Sequence, residues 1–454
     1  METTKPSTTP KGWKRLIYTE RAAEDEERRA MLRVVNSLIL HLHPVRVPAG
    51  ALRFTYTWGL GGISTLLCLI LGLTGALLMF RYEPDIDRAY LSILALETEV
   101  AFGSLIRSLH HWSANLLVVT SFLHLIRVFL SGGFKGGRRF NWIIGLIIFV
   151  FILAFNFTGY LLPWDQLAYW AITVSSSIIR YVPLVGREIA TALLGGFEVG
   201  QAALRNFYAL HIAVLPGATL ALLGYHFWRI RKDGGISQPE PGSGEQPERV
   251  TTLPHLVRRE LAVGAVAAMA LVAFAMLVRA PLGGVADPLR SPNPAKAAWY
   301  FGALQELLLH METEASLVLL AIIFAGALLL PQLDRHDGDI GIYFRSQRGR
   351  QAALLGLVIG INLTPALIVA DEVWIDWVAW LPTWPTFVAN GLVPVAVILT
   401  LMCGVYLLAR VSLKAHHGEA LVALFTFVVT AVLVMTVVCG LFRGANMDLV
   451  LPGM

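Results

Sequence analysis

The sequence predicts an all-α polytopic membrane protein with about nine transmembrane helices. Three observations point there. Of 454 residues, 56% are hydrophobic and 15% charged, whereas an ordinary soluble domain is about one-quarter charged. Mean hydropathy is +0.63. The apolar residues fall in nine uncharged runs, each at or above the roughly 18 residues a bilayer requires. Backbone polar groups in lipid must pair within their own segment, so these runs are read as helices. They are too long and continuous for barrel strands.

In chain order the runs are 57–80, 108–126, 140–163, 206–228, 261–278, 315–333, 351–370, 390–409 and 420–442. Segments 163–205 and 279–314 are too long for simple turns and carry Trp, Tyr and Pro, so surface amphipathic helices are expected there. Residues 234–248, rich in Pro, Gly, Ser and Glu, read as a flexible joint. The four tryptophans of 374–384 read as an interfacial belt. The expected organisation is an arm (1–56), a four-helix module (57–232), a linker (233–257), a three-helix module (258–370) and a two-helix extension (371–454) to which the sequence gives no role.

Lys and Arg set the orientation. The arm, the joint and the other loops on that side carry 26 of the 36 cations. The arm is therefore expected in the cytoplasm and, with nine spans, the C-terminus outside. The net charge of +5 is small and one-sided, which gives no support for a nucleic-acid partner. Cys68, Cys403 and Cys439 form neither Cys-x-x-Cys nor Cys-x-x-Cys-His, so a zinc ribbon or an attached c-type haem has no motif here.

Four intramembrane histidines carry the chemistry. A single one is more often satisfied by a neighbouring helix than functional. The second run holds His110 and His124, 14 residues apart; at about 100° per residue they return to within about 40° of one face, about 21 Å apart along the axis. His111 lands near the opposite face. The fourth run holds His211 and His226, 15 apart, about 60° off and about 22 Å apart. Two helices presenting two imidazoles each, at matched depths, can clamp two stacked six-coordinate irons, as in bis-histidine haem. Gly61 and Gly75, and likewise Gly145 and Gly159, repeat the 14-residue period, leaving gaps for haem edges. Arg107 and Arg127 each lie three residues from a histidine, one turn away and placed to pair haem propionates. Arg229 lies three residues after His226.

With these residues in view, the chain resembles the cytochrome b subunit of the quinol:cytochrome c oxidoreductases, the bc1 and b6f complexes. The resemblance rests on GSLIRSLHHWSANLLVVTSFLHLIRVFLSGGF (103–134), TGYLLPWDQLAYWA (158–171) and RNFYALHIAVLP followed by RKDGGIS (205–216, 231–237). It is strong over about 35–235. Over 255–370 it looks like a fused counterpart of the separate C-terminal b6f subunit. The resemblance implies two haems b, with His110 and His211 holding the outer one and His124 and His226 the inner. It implies a quinol site at the outer face involving Pro163, Trp164, Asp165 and Tyr300, and a quinone site at the cytoplasmic face near Arg229, Lys232 and Asp233. Where the family carries Pro-Glu-Trp-Tyr, this chain reads Ala297-Ala298-Trp299-Tyr300; Glu306 is the candidate replacement for the missing glutamate. The b6f attachment cysteine is absent from TWGLGG (57–62), so no covalent haem c is expected.

The implied function is quinol oxidation outside, with one electron passed to a Rieske iron–sulfur protein and a cytochrome c-type subunit. The other crosses both haems to a quinone near the cytoplasm, contributing to proton translocation. A bacterial cytoplasmic membrane and a homodimer are implied. The alternative is a di-haem anchor of another quinone-linked dehydrogenase or hydrogenase, which would have no bifurcating outer site.

Overall fold

A computed structural model describes residues 26–37, 40–238, 248–335 and 340–450. Most of the predicted flexible joint, 239–247, lies outside the described residues, as do the first 25 of the arm. Within them the chain runs α1 (Glu26–Asn36), β1 (Arg46–Pro48), α2 (Leu60–Met79), α3 (Ala89–Thr98), α4 (Gly103–Leu130), α5 (Arg139–Leu161), α6 (Gln166–Ile179), α7 (Gly186–Leu194), α8 (Gln201–Lys232), β2 (Arg249–Thr251) and α9 (Thr252–Leu277). It continues through α10 (Gly302–His310), α11 (Thr313–Leu333), α12 (Gln347–Val373), α13 (Val388–Ser412) and α14 (His417–Phe442). Among the described residues nine helices, α2, α4, α5, α8, α9 and α11–α14, are long and apolar enough to cross a membrane. The protein is an all-α, multi-pass membrane protein. The spans alternate in direction, so the molecule has an arm side, where α1 lies, and a far side.

The surface helices predicted for 163–205 form as α6 and α7. In 279–314 the described residues form a 3-10 turn at Trp299–Phe301 and α10 before α11 begins. Residues 278–290 are instead an extended strap over the far ends of α4 and α6, held by polar side chains. Trp112 Nε1 donates to the Val278 carbonyl at 2.7 Å, and Ser108 Oγ accepts from the Ala280 amide at 3.0 Å. On the arm side, β1 pairs antiparallel with β2, Val47 opposite Val250, so the end of the joint is pinned to the arm.

Two close packings build the two halves. Along α2 and α4, Ser64 Oγ donates to Thr120 Oγ1 at 3.0 Å. Along α12 and α14, glycines let the backbones meet: a Cβ on Gly356 would lie 2.2 Å from the Ala423 carbonyl oxygen, and one on Gly360 would lie 2.7 Å from Thr430 Cβ. The boundary expected at 370 therefore falls inside α12, a helix zipped to the C-terminal extension. The halves are also joined on the arm side by a fully buried ion cluster. Asp334 pairs with Lys135 at 3.3 Å and with Arg345, whose guanidinium lies over the rings of Phe129 and Phe134.

Candidate functional site

The four histidines converge in the space between α4 and α8. The rings of His110 and His211 have centroids 6.2 Å apart at 70°. Two imidazoles sharing one iron place their ring centres roughly 6 Å apart, because each metal–nitrogen bond is about 2 Å. Nearer the arm side, His124 lies against Gly61 and His226 against Gly145.

The ring orientation of the far-side pair is fixed by hydroxyls. Thr74 Oγ1 donates to the Ile70 carbonyl at 2.7 Å, so its proton is committed. It therefore accepts from His110 Nδ1–H at 2.9 Å. Thr158 Oγ1 likewise donates to Ala154 O at 2.8 Å and accepts from His211 Nδ1–H at 3.2 Å. Both tautomers leave the Nε2 lone pair available to a metal. The sequence reading missed these threonines, although each directly precedes a periodic glycine (Thr74-Gly75, Thr158-Gly159), a signal open to view.

The glycines have a role different from the one expected. They were read as gaps for haem edges, but each backs a histidine ring. A Cβ would meet His124 Cε1 at 3.3 Å from Gly61, His110 Cε1 at 3.2 Å from Gly75, His226 Cε1 at 3.9 Å from Gly145 and His211 Cε1 at 2.6 Å from Gly159. The one-to-one match forms a cradle that any side chain would fill. Between the two histidine layers lie Leu67, Leu117, Val118, Ile148 and Ile152, an apolar plug at mid-depth.

The 15-residue spacing of α8 is explained by a π-turn over Leu210–Val214. Pro216 has no N–H, so the Ile212 carbonyl lacks its helical partner, and the helix widens to absorb one residue. Fourteen α-helical steps then separate His211 from His226, as they do His110 from His124, and the extra 100° disappears.

The arginines divide. Arg127 donates Nε to the Tyr56 carbonyl at 2.9 Å, while its buried Nη2 has no protein partner; this donor suits an anionic propionate. Arg107 is a correction. Its guanidinium is taken by Glu97 at 2.7 Å and by the carbonyls of Ala280 and Pro281, so it ties the strap to α4. On the arm side, Arg229 Nη2 donates to Asp233 Oδ1 at 3.2 Å and to Gly137 O at 2.8 Å, and Lys232 lies over Trp228. Buried Arg229 Nε, Arg138 Nε and Asp233 Oδ2 lack protein partners. These are two donors and one acceptor on residues already linked to one another, Arg229 to Asp233 Oδ1 and Arg138 to Asp233 O at 3.0 Å, and a polar ligand would suit them. Arg138 was not among the expected residues.

On the far side a crevice with room for little more than one water molecule is lined by Phe157, Tyr160, Ser175, Ala298, Tyr300 and Phe301. It lies beside the turn carrying Pro163 and the buried Trp164. Tyr300 is half-buried, and the loss of solvent around its hydroxyl holds it protonated well above the ordinary range. Trp299 Nε1 donates to Asn115 Oδ1 at 2.7 Å, fixing this loop to α4. The expected carboxylates are otherwise engaged. Asp165 caps α6, accepting from Ala168 N at 2.9 Å through Oδ1 and from Gly283 N at 2.9 Å through Oδ2. Glu306 is fully buried and bound by Arg443 through Nη2 at 2.6 Å, with His310 Nε2 at 3.2 Å. Burial raises its pKa, but the His310 and Arg443 hydrogen bonds outweigh burial and leave it below the usual carboxylate value. It is therefore poorly suited to accept a proton. Tyr160 and Ser175 are polar cleft residues the sequence reading did not name.

Comparison with known proteins agrees with this arrangement. Residues 48–234 match the family model described as Cytochrome b/b6/petB. The chain is 44% identical to cytochrome b6 of Prochlorococcus marinus strain MIT 9215 over 180 residues, 40% of this chain and 82% of that one. It is 46% identical to cytochrome b6 of Acaryochloris marina over 181 residues, 40% of this chain and 83% of that one. A solved chain described as hyperthermophilic respiratory Complex III superposes with a TM-score of 0.61 at 21% identity, covering 84% of this chain and 89% of that one. This likeness in fold extends into the C-terminal half.

Proposed function

The chain belongs to the cytochrome b/b6 family, and on that premise we propose that it is the cytochrome b subunit of a quinol:cytochrome c oxidoreductase-type complex. The observation that carries the reading is the His110–His211 pair, 6.2 Å apart with each ring backed by a glycine and oriented by a threonine. His110 and His211 would hold one haem b, His124 and His226 a second, and Arg127 would neutralise a propionate. A haem with two imidazole ligands transfers single electrons without opening a coordination position to substrate.

The remaining chemistry falls to the chain. Widening of the crevice would admit the quinol head group, with the Tyr300 and Tyr160 hydroxyls available to its oxygens and Ser175, which donates to Ala171 O at 2.7 Å, able to accept only. Asp165 and Glu306, the expected proton acceptors, are engaged outside it, Asp165 with the strap and Glu306 with Arg443. Quinol oxidation releases two electrons and two protons. We assign one electron to a Rieske iron–sulfur partner and onward to a cytochrome c-type subunit. The other crosses the bilayer along the line of histidines to a quinone near Arg138, Arg229 and Asp233. The cation-rich arm side is assigned to the cytoplasm, so protons leave on the far side. The working complex is proposed as a homodimer in a bacterial cytoplasmic membrane.

The test is quinol:cytochrome c oxidoreductase activity of the purified complex, with inhibitors of the far-side and arm-side quinone sites. Sensitivity to both classes is expected. A protein that takes electrons from quinol at one site, with no sensitivity to far-side inhibitors, would instead be the anchor of another dehydrogenase.

A further inference from the structure

The extension after 370, to which the sequence gives no role, ends against the quinol-site loop. Residues 293–310 carry Trp299 and Tyr300 and lead into α10. Along this whole stretch the partner is the end of α14. Asn293 exchanges two hydrogen bonds with Asn446, at 2.8 and 2.6 Å. Lys296 Nζ donates to the Gly440 carbonyl at 2.9 Å. Gly302 sits against Thr436, where a Cβ would lie 3.5 Å from its Cα. Gln305, which itself accepts from the Ala297 amide at 2.7 Å, accepts from Cys439 Sγ at 3.4 Å. One turn on, the buried Arg443 binds Glu306 through Nε and Nη2, and its Nη1 binds Glu372 of α12.

Resting on the reading of the cleft as the quinol site, we propose that the end of α14 is a buttress that holds the Trp299–Tyr300 loop in register with the cleft, with Arg443 as its positioning residue. The loop is gripped from two sides. Asn115 of α4 holds Trp299, and α14 holds the backbone before and after it. Neither Arg443 nor Lys296 lines the cleft. Their effect is exerted through Glu306 and the loop, so they govern where Tyr300 stands and not the chemistry of quinol. A charge pair buried as deeply as Glu306–Arg443 also fixes geometry strongly, because neither group has an alternative partner in water.

The experiment uses the intact complex with Arg443→Gln and Lys296→Met; the second removes one tie without burying a charge and keeps the test decisive if the first fails to assemble. Two readouts are taken, quinol kinetics and deuterium exchange of the backbone over 293–301. Expected results are a KM for quinol raised about ten-fold in Arg443→Gln, a smaller rise in Lys296→Met, faster exchange over 293–301 in both, and haem content unchanged. Arg443→Lys, which keeps the charge but not the fork, should recover part of the loss. Unaltered exchange and KM in both variants would overturn the buttress. Wild-type complex without quinol oxidation would overturn the underlying reading instead, so the two failures are distinguishable.

Discussion

At the scale of single residues, the four glycines make a graded prediction. Alanine at Gly159 brings a Cβ to 2.6 Å from His211, whereas at Gly145 the nearest His226 atom is 3.9 Å away. Gly159→Ala should therefore lose the far-side haem, Gly75→Ala and Gly61→Ala should weaken their own, and Gly145→Ala should keep both, as read from reduced-minus-oxidised spectra. Equal retention in all four would refute the cradle. Replacing Thr158 by Val removes the acceptor of His211 Nδ1–H and leaves a buried donor unpaired, a cost of about 1–3 kcal/mol. The far-side haem should then shift in potential while the arm-side haem does not. His310 supplies a pH signature. Burial lowers its pKa, but Asp371 at 2.7 Å and Glu306 at 3.2 Å raise it to about 9. Because this lies above the ordinary 6.5, its stabilisation is complete below pH 6.5 and is lost as pH rises through about 9. On losing its Nε2 proton the ring can accept from Arg443 Nη2, 3.3 Å away. The temperature of haem release should fall across that window in the wild type and stay flatter in His310→Gln.

At the scale of elements, the π-turn is the sharpest case. If Leu210–Val214 absorbs one surplus residue, deletion of Ala213 should give an α-helix, kinked at the remaining proline, that still aligns His211 with His226, and both haems should remain. Deletion of Val119 from the regular helix between His110 and His124 should rotate one ligand away and cost a haem. The same element marks the limit of sequence reading. Nine runs, four histidines and the glycine period were legible because composition and a 3.6-residue repeat show directly in the letters. The π-turn was not, because it arises where Pro216 removes one hydrogen bond in a helix that otherwise reads as continuous. The fates of Arg107, Asp165 and Glu306 were hidden for another reason. Their partners, Ala280, Gly283 and Arg443, lie more than a hundred residues away along the chain, and only the folded strap and α14 bring them close. The 370 boundary misread α12 because close glycine packing against α14 leaves no mark in hydropathy.

At the scale of the whole molecule, two buried charge clusters tie distant elements, one joining the halves on the arm side and one binding the C-terminal helices together on the far side. On the arm side Asp334 pairs with both Lys135 and Arg345. Asp334→Asn would remove the carboxylate that both cations share, at a cost of about 3–5 kcal/mol, and should lower the thermal midpoint of the assembled protein without changing the spectrum of haem still bound. On the far side Arg443 joins α10, α12 and α14 at the edge of the cleft. On the proposed function the N-terminal bundle would carry the electron path, and the C-terminal helices would cover and brace the place where quinol enters it. All of this depends on two iron porphyrins seated between α4 and α8. The most direct measurement is a pyridine haemochrome assay on purified protein together with His110→Leu and His226→Leu. The account predicts two haems b per chain and no haem c, with one haem lost in each variant. One haem or none in the wild type, or full content in either variant, would contradict it.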